Sequence, residues 1–290
     1  MRKIGFLIFI VLFLSCSREK KNTGMQPYAF FVAGHTYGKP GTDSIGLHPP
    51  FKNEFDSIKS YPNMQFGVLT GDIVQHSSEE SWDAIDKELK ELGLPVYFVP
   101  GNHDIYDNNL FSQRYGDAEN NYRTYSYFRF HSELFILLDA NIDNWSISGE
   151  QLSFLSDVLD KHKGKVKTVF VFVHQLIWWS ENSVFNSIVT NWPPYTPDTT
   201  NYWGTIEPLF QNYTSPIYLI AGDLGANKPA EPYLYYTDEN IHYLAGGMGS
   251  GINDNYMIID IDGQGQIELH LLALQGDRSR FGRIETYMLP

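Results

Sequence analysis

Short apolar runs that end in glycine alternate with amphipathic stretches along the first hundred residues. The runs Tyr28–Gly34, Gln65–Thr70 and Pro95–Val99 are almost wholly apolar, the pattern of strands buried on both faces. Between them, residues 51–59 and 78–92 carry apolar side chains at three- and four-residue intervals and predict helices. Ser77 and Glu80 stand at capping-box spacing where the second of these begins. Strand alternating with helix predicts parallel βαβ units, whose ligands bind beyond the C-terminal ends of the strands.

The rhythm changes at Arg123. "RTYSYFRFH" and "ELFILLDA" read as a hairpin, and "QLSFLSDVLDKH" as a helix with Ser148 and Gln151 at cap spacing. "VKTVFVFVH" is an apolar strand ending on His174, followed by 27 residues without periodicity, Gln175–Asn201. Loops of that length in compact folds usually carry function. Five further runs, "PIYLIAG", "PYLYYT", "IHYLAGG", "NYMIIDID" and "QIELHLLAL", read as antiparallel strands of a second sheet. The fold class expected is α/β: a two-sheet mixed β-sandwich flanked by helices, in one domain over residues 28–290.

The first segment stands apart. Arg2 and Lys3 precede the apolar run Ile4–Leu14, too short to span a bilayer as a helix and suited to an export signal. Cys16, the single cysteine in the chain, follows "FLS" and resembles the lipidated cysteine of a bacterial lipobox. On that reading residues 1–15 are a lipoprotein signal peptide and residues 16–27 a polar tether. Export to the outer membrane or cell surface follows, with Cys16 as the lipid attachment; a plain secretory signal is the alternative. The formal net charge of −13 repels phosphate backbones and argues against a nucleic-acid partner. A phosphorylated substrate then needs a locally positive group, such as a metal ion.

Candidate chemistry collects at the strand ends. In chain order these carry Gly34-His35, Gly71-Asp72, Gly101-Asn102-His103-Asp104, His174 and Gly222-Asp223. Carboxylate, amide and imidazole donors from five strand ends are the raw material of a cation site. Turn or core roles remain open for each, most evenly for His35 and Asp223. His76, His131, His162, His242 and His270 have no motif around them.

In its order of motifs the chain resembles the calcineurin-like metallophosphoesterases from about residue 28 to 275. That family's pattern is Asp-x-His, Gly-Asp, Gly-Asn-His-Asp/Glu, a lone His after a strand, and Gly-His-x-His, on a two-sheet sandwich with two metals. The resemblance implies Asp72 as the carboxylate bridging both metals, and Asn102 and His174 as ligands of the second. It implies His103 as the acid that protonates the leaving oxygen, oriented by Asp104. Two motifs depart from the pattern. "GHTYG" puts His35 in the Asp place and Tyr37 in the His place, or, in another register, His35 in the His place with Ala33 for Asp. "GDLG" puts Asp223 in the first His place and Gly225 in the second. The second metal thus keeps Asp72, Asn102, His174 and Asp223, and the first keeps Asp72 and His35, with Tyr37 as a further candidate and a ligand lost at Gly225. One or two divalent ions are implied, with manganese, iron, zinc and magnesium undistinguished. The implied partner is a phosphorylated small molecule or envelope component. Trp178, Trp179, Trp192, Tyr195, Tyr202 and Trp203 either wall the substrate or pin the long loop.

Overall fold

The computed structural model describes residues 25–106, 108–192, 200–276 and 282–284. The elements in chain order are β1 (Tyr28–Ala33), α1 (Pro49–Lys52), α2 (Phe55–Ser60), β2 (Met64–Thr70), α3 (Glu79–Leu92), β3 (Val96–Val99), α4 (Asn102–Ile105) and α5 (Leu110–Tyr115). Then come β4 (Ser126–Phe130), β5 (Glu133–Leu137), α6 (Gly149–His162), β6 (Thr168–Val173), α7 (Glu207–Gln211), β7 (Ile217–Ala221), β8 (Tyr233–Asp238), β9 (Ile241–Gly246), β10 (Asn255–Ile261), β11 (Ile267–Ala273) and β12 (Gly282–Arg283).

Two mixed six-stranded sheets form, in the orders β12-β11-β10-β1-β2-β3 and β4-β5-β6-β7-β9-β8. Strands β1, β2 and β3 run parallel, as do β5, β6, β7 and β9. The sheets pack face to face, and the period-two geometry of a strand explains why nearly every position in β1 and β6 is apolar. Phe30 and Val32 of β1 face Phe170 and Phe172 of β6 between the sheets. The alternate residues Ala29, Phe31 and Ala33 face the layer of α2 and α3, and Val169, Val171 and Val173 face α6. Phe30 stacks on Phe66 at 5.2 Å and meets Phe135 and Phe170 edge-on at 5.3 and 5.1 Å. Each buried Phe contributes about 1.5–3 kcal/mol, and the ring contacts add about 0.5–1.5 kcal/mol apiece. The α/β sandwich with helices outside is the architecture expected.

Several local expectations change. The helix over 51–59 is broken at Asn53 and Glu54 into α1 and α2. Ser78, not Ser77, caps α3, its oxygen accepting from the Ser81 amide at 3.1 Å, while Ser77 accepts from the Trp82 indole at 3.0 Å. Ser148 precedes α6 but its hydroxyl donates to Asp143, and the Gln151 side chain bonds the Asp139 backbone at 2.7 and 2.9 Å. The last five runs do not make a sheet of their own. β7, β8 and β9 complete the sheet begun by β4–β6, whereas β10 and β11 cross to pair beside β1. Burial explains it: β7 is buried throughout, and only between β6 and β9 does it have strand neighbours on both sides. Among the described residues no helix is long and apolar enough to cross a membrane.

Candidate metal centre

The C-terminal ends of β1, β2, β3, β6 and β7 meet at one edge of the sandwich because glycine lets their backbones touch. A Cβ at Gly34 meets the Gly222 backbone at 2.4 Å, and one at Gly71 meets the His174 ring at 2.4 Å. Larger residues there would drive the strand ends apart.

The turns beyond the strands are tied by main-chain bonds. The His35 amide donates to the Gly71 carbonyl at 3.0 Å, and the Tyr37 amide to the Asp72 carbonyl at 3.2 Å. The Gly222 and Asp223 amides both donate to the His174 carbonyl, at 2.9 and 3.0 Å. His35 and Asp72 sit in the left-handed region, with φ of 54° and 51°. Each such buried residue costs on the order of 1–3 kcal/mol and persists only where its surroundings hold it.

Side chains then converge. One ligand atom from each of His35, Asp72 and Asp223 lies within 4.8 Å of the others. His174 Nε2 lies 3.3 Å from Asp72 Oδ1 and 3.9 Å from Asp223 Oδ2, and His35 Nε2 lies 3.6 Å from Asp72 Oδ2. The His174 ring is oriented by its Nδ1–H, which donates to the Thr70 carbonyl at 2.8 Å. Its Nε2 is then buried with no hydrogen bond. A buried imidazole nitrogen facing two carboxylates fits a divalent cation, and the backbone carbonyl behind it is a common support for a ligating histidine.

The electrostatics agree. Burial pushes the His174 imidazole down, but Asp72 and Asp223 more than reverse this and raise it to about 10. Burial pushes the Asp72 carboxyl up, and the imidazoles of His174, His35 and His103 outweigh that and hold it well below the usual carboxylate range. His35 is lowered, burial prevailing over the pull of Asp72 and Asp223, so it stays a neutral donor. Two carboxylates and a proton-hungry imidazole share the space that a cation would neutralise.

His103 and Asp104 are placed differently from one another. The His103 amide donates to Asp72 Oδ1 at 3.1 Å, and its ring Nδ1–H donates to the Gln75 carbonyl at 2.8 Å. The ring lines a cavity of about 350 Å³ with Gln75, His76, Ser77, Asn102 and Tyr106. Asn102 is exposed on the same side. Asp104 does not orient His103, contrary to expectation. Wholly buried, it accepts from the amides of Ile73, Val74 and Gly101 at 2.8, 3.0 and 2.7 Å, and so fastens the loop after β2 to the one after β3. Its carboxylate is taken up by those three amides, and the Gln75 carbonyl holds the His103 ring.

Tyr37 is buried with its ring 4.3 Å from His35 and 5.2 Å from His103. Gly225 has φ of 76° and brings no ligand. Sequence reasoning missed Asn191, whose Nδ2 donates to Asp223 Oδ1 at 2.6 Å and whose Oδ1 accepts from the Ala226 amide at 2.8 Å. It also missed the bridge in which Gln175 donates to Asn141 at 2.7 Å and Asn141 donates to Asp139 at 2.9 Å and the Pro100 carbonyl at 3.0 Å. Among the described residues of the long loop Trp178 is buried beside Tyr243, as is Tyr202 just after it, whereas Trp192 is 73% exposed. Tyr195 lies outside the described residues, as does Cys16.

A model of the calcineurin-like phosphoesterase family matches residues 42–224. The chain belongs to that family. The match takes in Asp72, Asn102–Asp104, His174 and Asp223 and begins after His35 and Tyr37, where the first motif departs from the pattern. Among curated proteins, a probable glycerophosphodiester phosphodiesterase of Arcobacter nitrofigilis is 28% identical over 145 residues, 47% of this chain and 51% of that protein. The 3',5'-cyclic adenosine monophosphate phosphodiesterase of Haemophilus influenzae is 27% identical over 143 residues, 47% of each. The chain thus spans about half the length of the curated relatives it matches. Two solved structures share the fold: a dimetal phosphatase from Danio rerio (TM-score 0.60, 15% identity, 88% of this chain and 96% of that one) and a purple acid phosphatase from yellow lupin (TM-score 0.62, 14%, 86% and 52%). The calcineurin-like phosphoesterases are metal-dependent, and the donors gathered around Asp72 fit that requirement.

Proposed function

We propose that this chain is a metal-dependent phosphoester hydrolase, with diesters as the first substrates to try. The observation that carries the reading is the convergence of Asp72, Asp223, His35 and His174, whose buried Nε2 faces both carboxylates, beside the His103 cavity. Asp72, His174 and Asp223 would hold the cation with Asn102 at their side, and His35 would share Asp72 with any second ion. A divalent cation so held polarises a phosphoryl oxygen and acidifies water at neutral pH. His103, its Nδ1 fixed on Gln75, presents Nε2 as the proton donor for the leaving oxygen, in the role suited to an imidazole. Tyr37 and the buried turns keep bulk water from one side of the carboxylates, which strengthens their hold on charge. The names of the two bacterial relatives support diesters over monoesters.

The same reading includes export and attachment through a lipid on Cys16, at the bacterial outer membrane or cell surface, with residues 16–27 as tether. A second reading, a binding protein without turnover, is favoured by the histidine at position 35 and the glycine at 225. Metal content per chain and hydrolysis of bis(p-nitrophenyl) phosphate against p-nitrophenyl phosphate separate the two. Turnover is expected with at least one of manganese, zinc, iron and magnesium. Folded protein that binds metal yet hydrolyses neither ester with any of the four supports the second reading and overturns the first.

A further inference from the structure

Asp72 presents its two carboxylate oxygens to different neighbours. Oδ1 faces His174 Nε2 at 3.3 Å and accepts from the His103 amide at 3.1 Å, while Oδ2 faces His35 Nε2 at 3.6 Å. A carboxylate so placed can serve two ions about 3.5–4 Å apart, one on each oxygen. Each ion then needs donors of its own, about three protein ligands where one position is kept open for water.

The Oδ1 side has them. His174 and Asp223 flank it, with Nε2 and Oδ2 3.9 Å apart, and Asn102 opens α4 beside it. The Oδ2 side does not. Among the described residues the donors grouped with Asp72 there are His35 and Asp223, and Asp223 is already committed: its Oδ1 accepts from Asn191 at 2.6 Å and its Oδ2 faces His174. Tyr37 comes next, buried, with its ring 4.3 Å from the His35 ring and 5.2 Å from that of His103. A phenol keeps its proton at neutral pH, so Tyr37 packs the space without offering an anion.

The wall that joins the turns after β1 and β7 is glycine. A Cβ at Gly225 meets the Pro232 and Gly247 carbonyls at 3.1 and 3.3 Å, and φ of 76° adds a further cost for any side chain. A Cβ at Gly247, just after β9, meets the Leu224 carbonyl at 2.0 Å, and one at Gly249 meets the Gly38 and Ala226 carbonyls at 2.6 and 3.1 Å. The side chains between these glycines, Leu224 and Met248, are apolar and buried. Main chain lies against main chain here, and these positions have no room for a donor that would complete a second set.

We infer that the centre takes a single cation, on the Oδ1 side of Asp72, and that His35 and Tyr37 fill the room a second ion would need. The inference rests on the proposed cation at Asp72 and departs from the two-ion pattern of the family. Asp72, His174 and Asp223 are then the protein ligands, with Asn102 beside them, and His35 is a neighbour of Asp72 outside the coordination sphere. The charge that grows on a leaving oxygen is left to His103.

The test is metal counting on the full mature protein, stripped with chelator and dialysed against manganese and, separately, zinc. About one ion per chain is expected with each. Bound manganese should show the simple hyperfine pattern of an isolated ion by electron paramagnetic resonance, where a carboxylate-bridged pair gives a coupled spectrum of more, closer lines. By chelator competition, His35→Gln should weaken the ion by no more than about 10-fold, the lower end for an outer-shell partner, and His174→Gln by more than about 100-fold. Two ions per chain with a coupled spectrum overturn the inference, as does a loss in folded His35→Gln protein equal to that in His174→Gln. The hydrolase reading is judged separately. One ion without hydrolysis of either ester leaves the inference standing and removes that reading, and two ions with hydrolysis do the reverse. A folded chain that binds neither metal overturns both.

Discussion

The two edges of the sandwich use the same backbone conformation to opposite ends. At the edge where β1 and β5 begin, Asn63, His131 and Glu239 adopt left-handed φ of 57°, 50° and 49° in exposed turns. At the other edge His35 and Asp72 do so while buried, among donors that lack hydrogen bonds. Exposed, the conformation merely reverses the chain. Buried, it aims a carboxylate and an imidazole at a shared point, and the strain is held by packing and cross-strand amides. The difference teaches that left-handed residues alone do not mark a site; burial together with unsatisfied ligand atoms does.

Four changes would sharpen that contrast or break it. The largest effect is expected from Asp72→Ala, which removes the carboxylate facing both His35 and His174: metal content should fall to near zero and hydrolysis with it, with helical content by circular dichroism retained. Full metal loading in that variant would detach Asp72 from the site. Next, His103→Gln should lower kcat about 10²–10⁴-fold while metal content stays at the wild-type level; a parallel loss of metal would make His103 a ligand instead of an acid. Asn191→Ala removes the amide that donates to Asp223 Oδ1 without touching a proposed ligand directly. Metal affinity, by competition with a chelator, should drop about 10–100-fold, and no change would show that Asp223 needs no support.

The smallest effect belongs to the opposite edge. His162, buried against Tyr127, has neither ring nitrogen hydrogen-bonded. Burial, followed by the charges of Arg129, Lys161 and Lys165, lowers its pKa. The unfolded chain therefore takes up a proton more readily than the folded one, so stability falls as pH drops below the ordinary imidazole value of about 6.5. Melting temperatures from pH 8 to 5 should decline less steeply for His162→Gln than for wild type, with activity at pH 8 unaltered. An identical slope would remove His162 from the account.

Much of the site was legible because its signals are local. Strands that run apolar to their last residue and then break into glycine and a polar group can be read without knowing their neighbours, and all five candidate strand ends do meet. What was not legible depends on distant partners. Asp104 looked like a helper for the adjacent His103, yet its acceptors face amides some 30 residues earlier. Asn191 sits in a stretch without periodicity and reaches Asp223 32 residues away; only the long loop itself signalled that something there mattered. The division of the last five strands between two sheets was hidden for the same reason, since pairing partners leave no mark in a strand's own alternation.

The amide bonds that fasten the strand-end turns also bear on how such a site ages. His35 N–H on Gly71, and Gly222 and Asp223 N–H on His174, are made by main chain alone. Any non-proline residue supplies the same donors, at position 35 subject to the cost of its left-handed φ, so these main-chain ties remain whichever side chain occupies positions 35 or 223. A lineage can therefore exchange one ligand type for another, or lose one to glycine, without first dismantling the scaffold. The pocket is a socket whose fittings are interchangeable, and metal preference is free to drift faster than the fold that holds it.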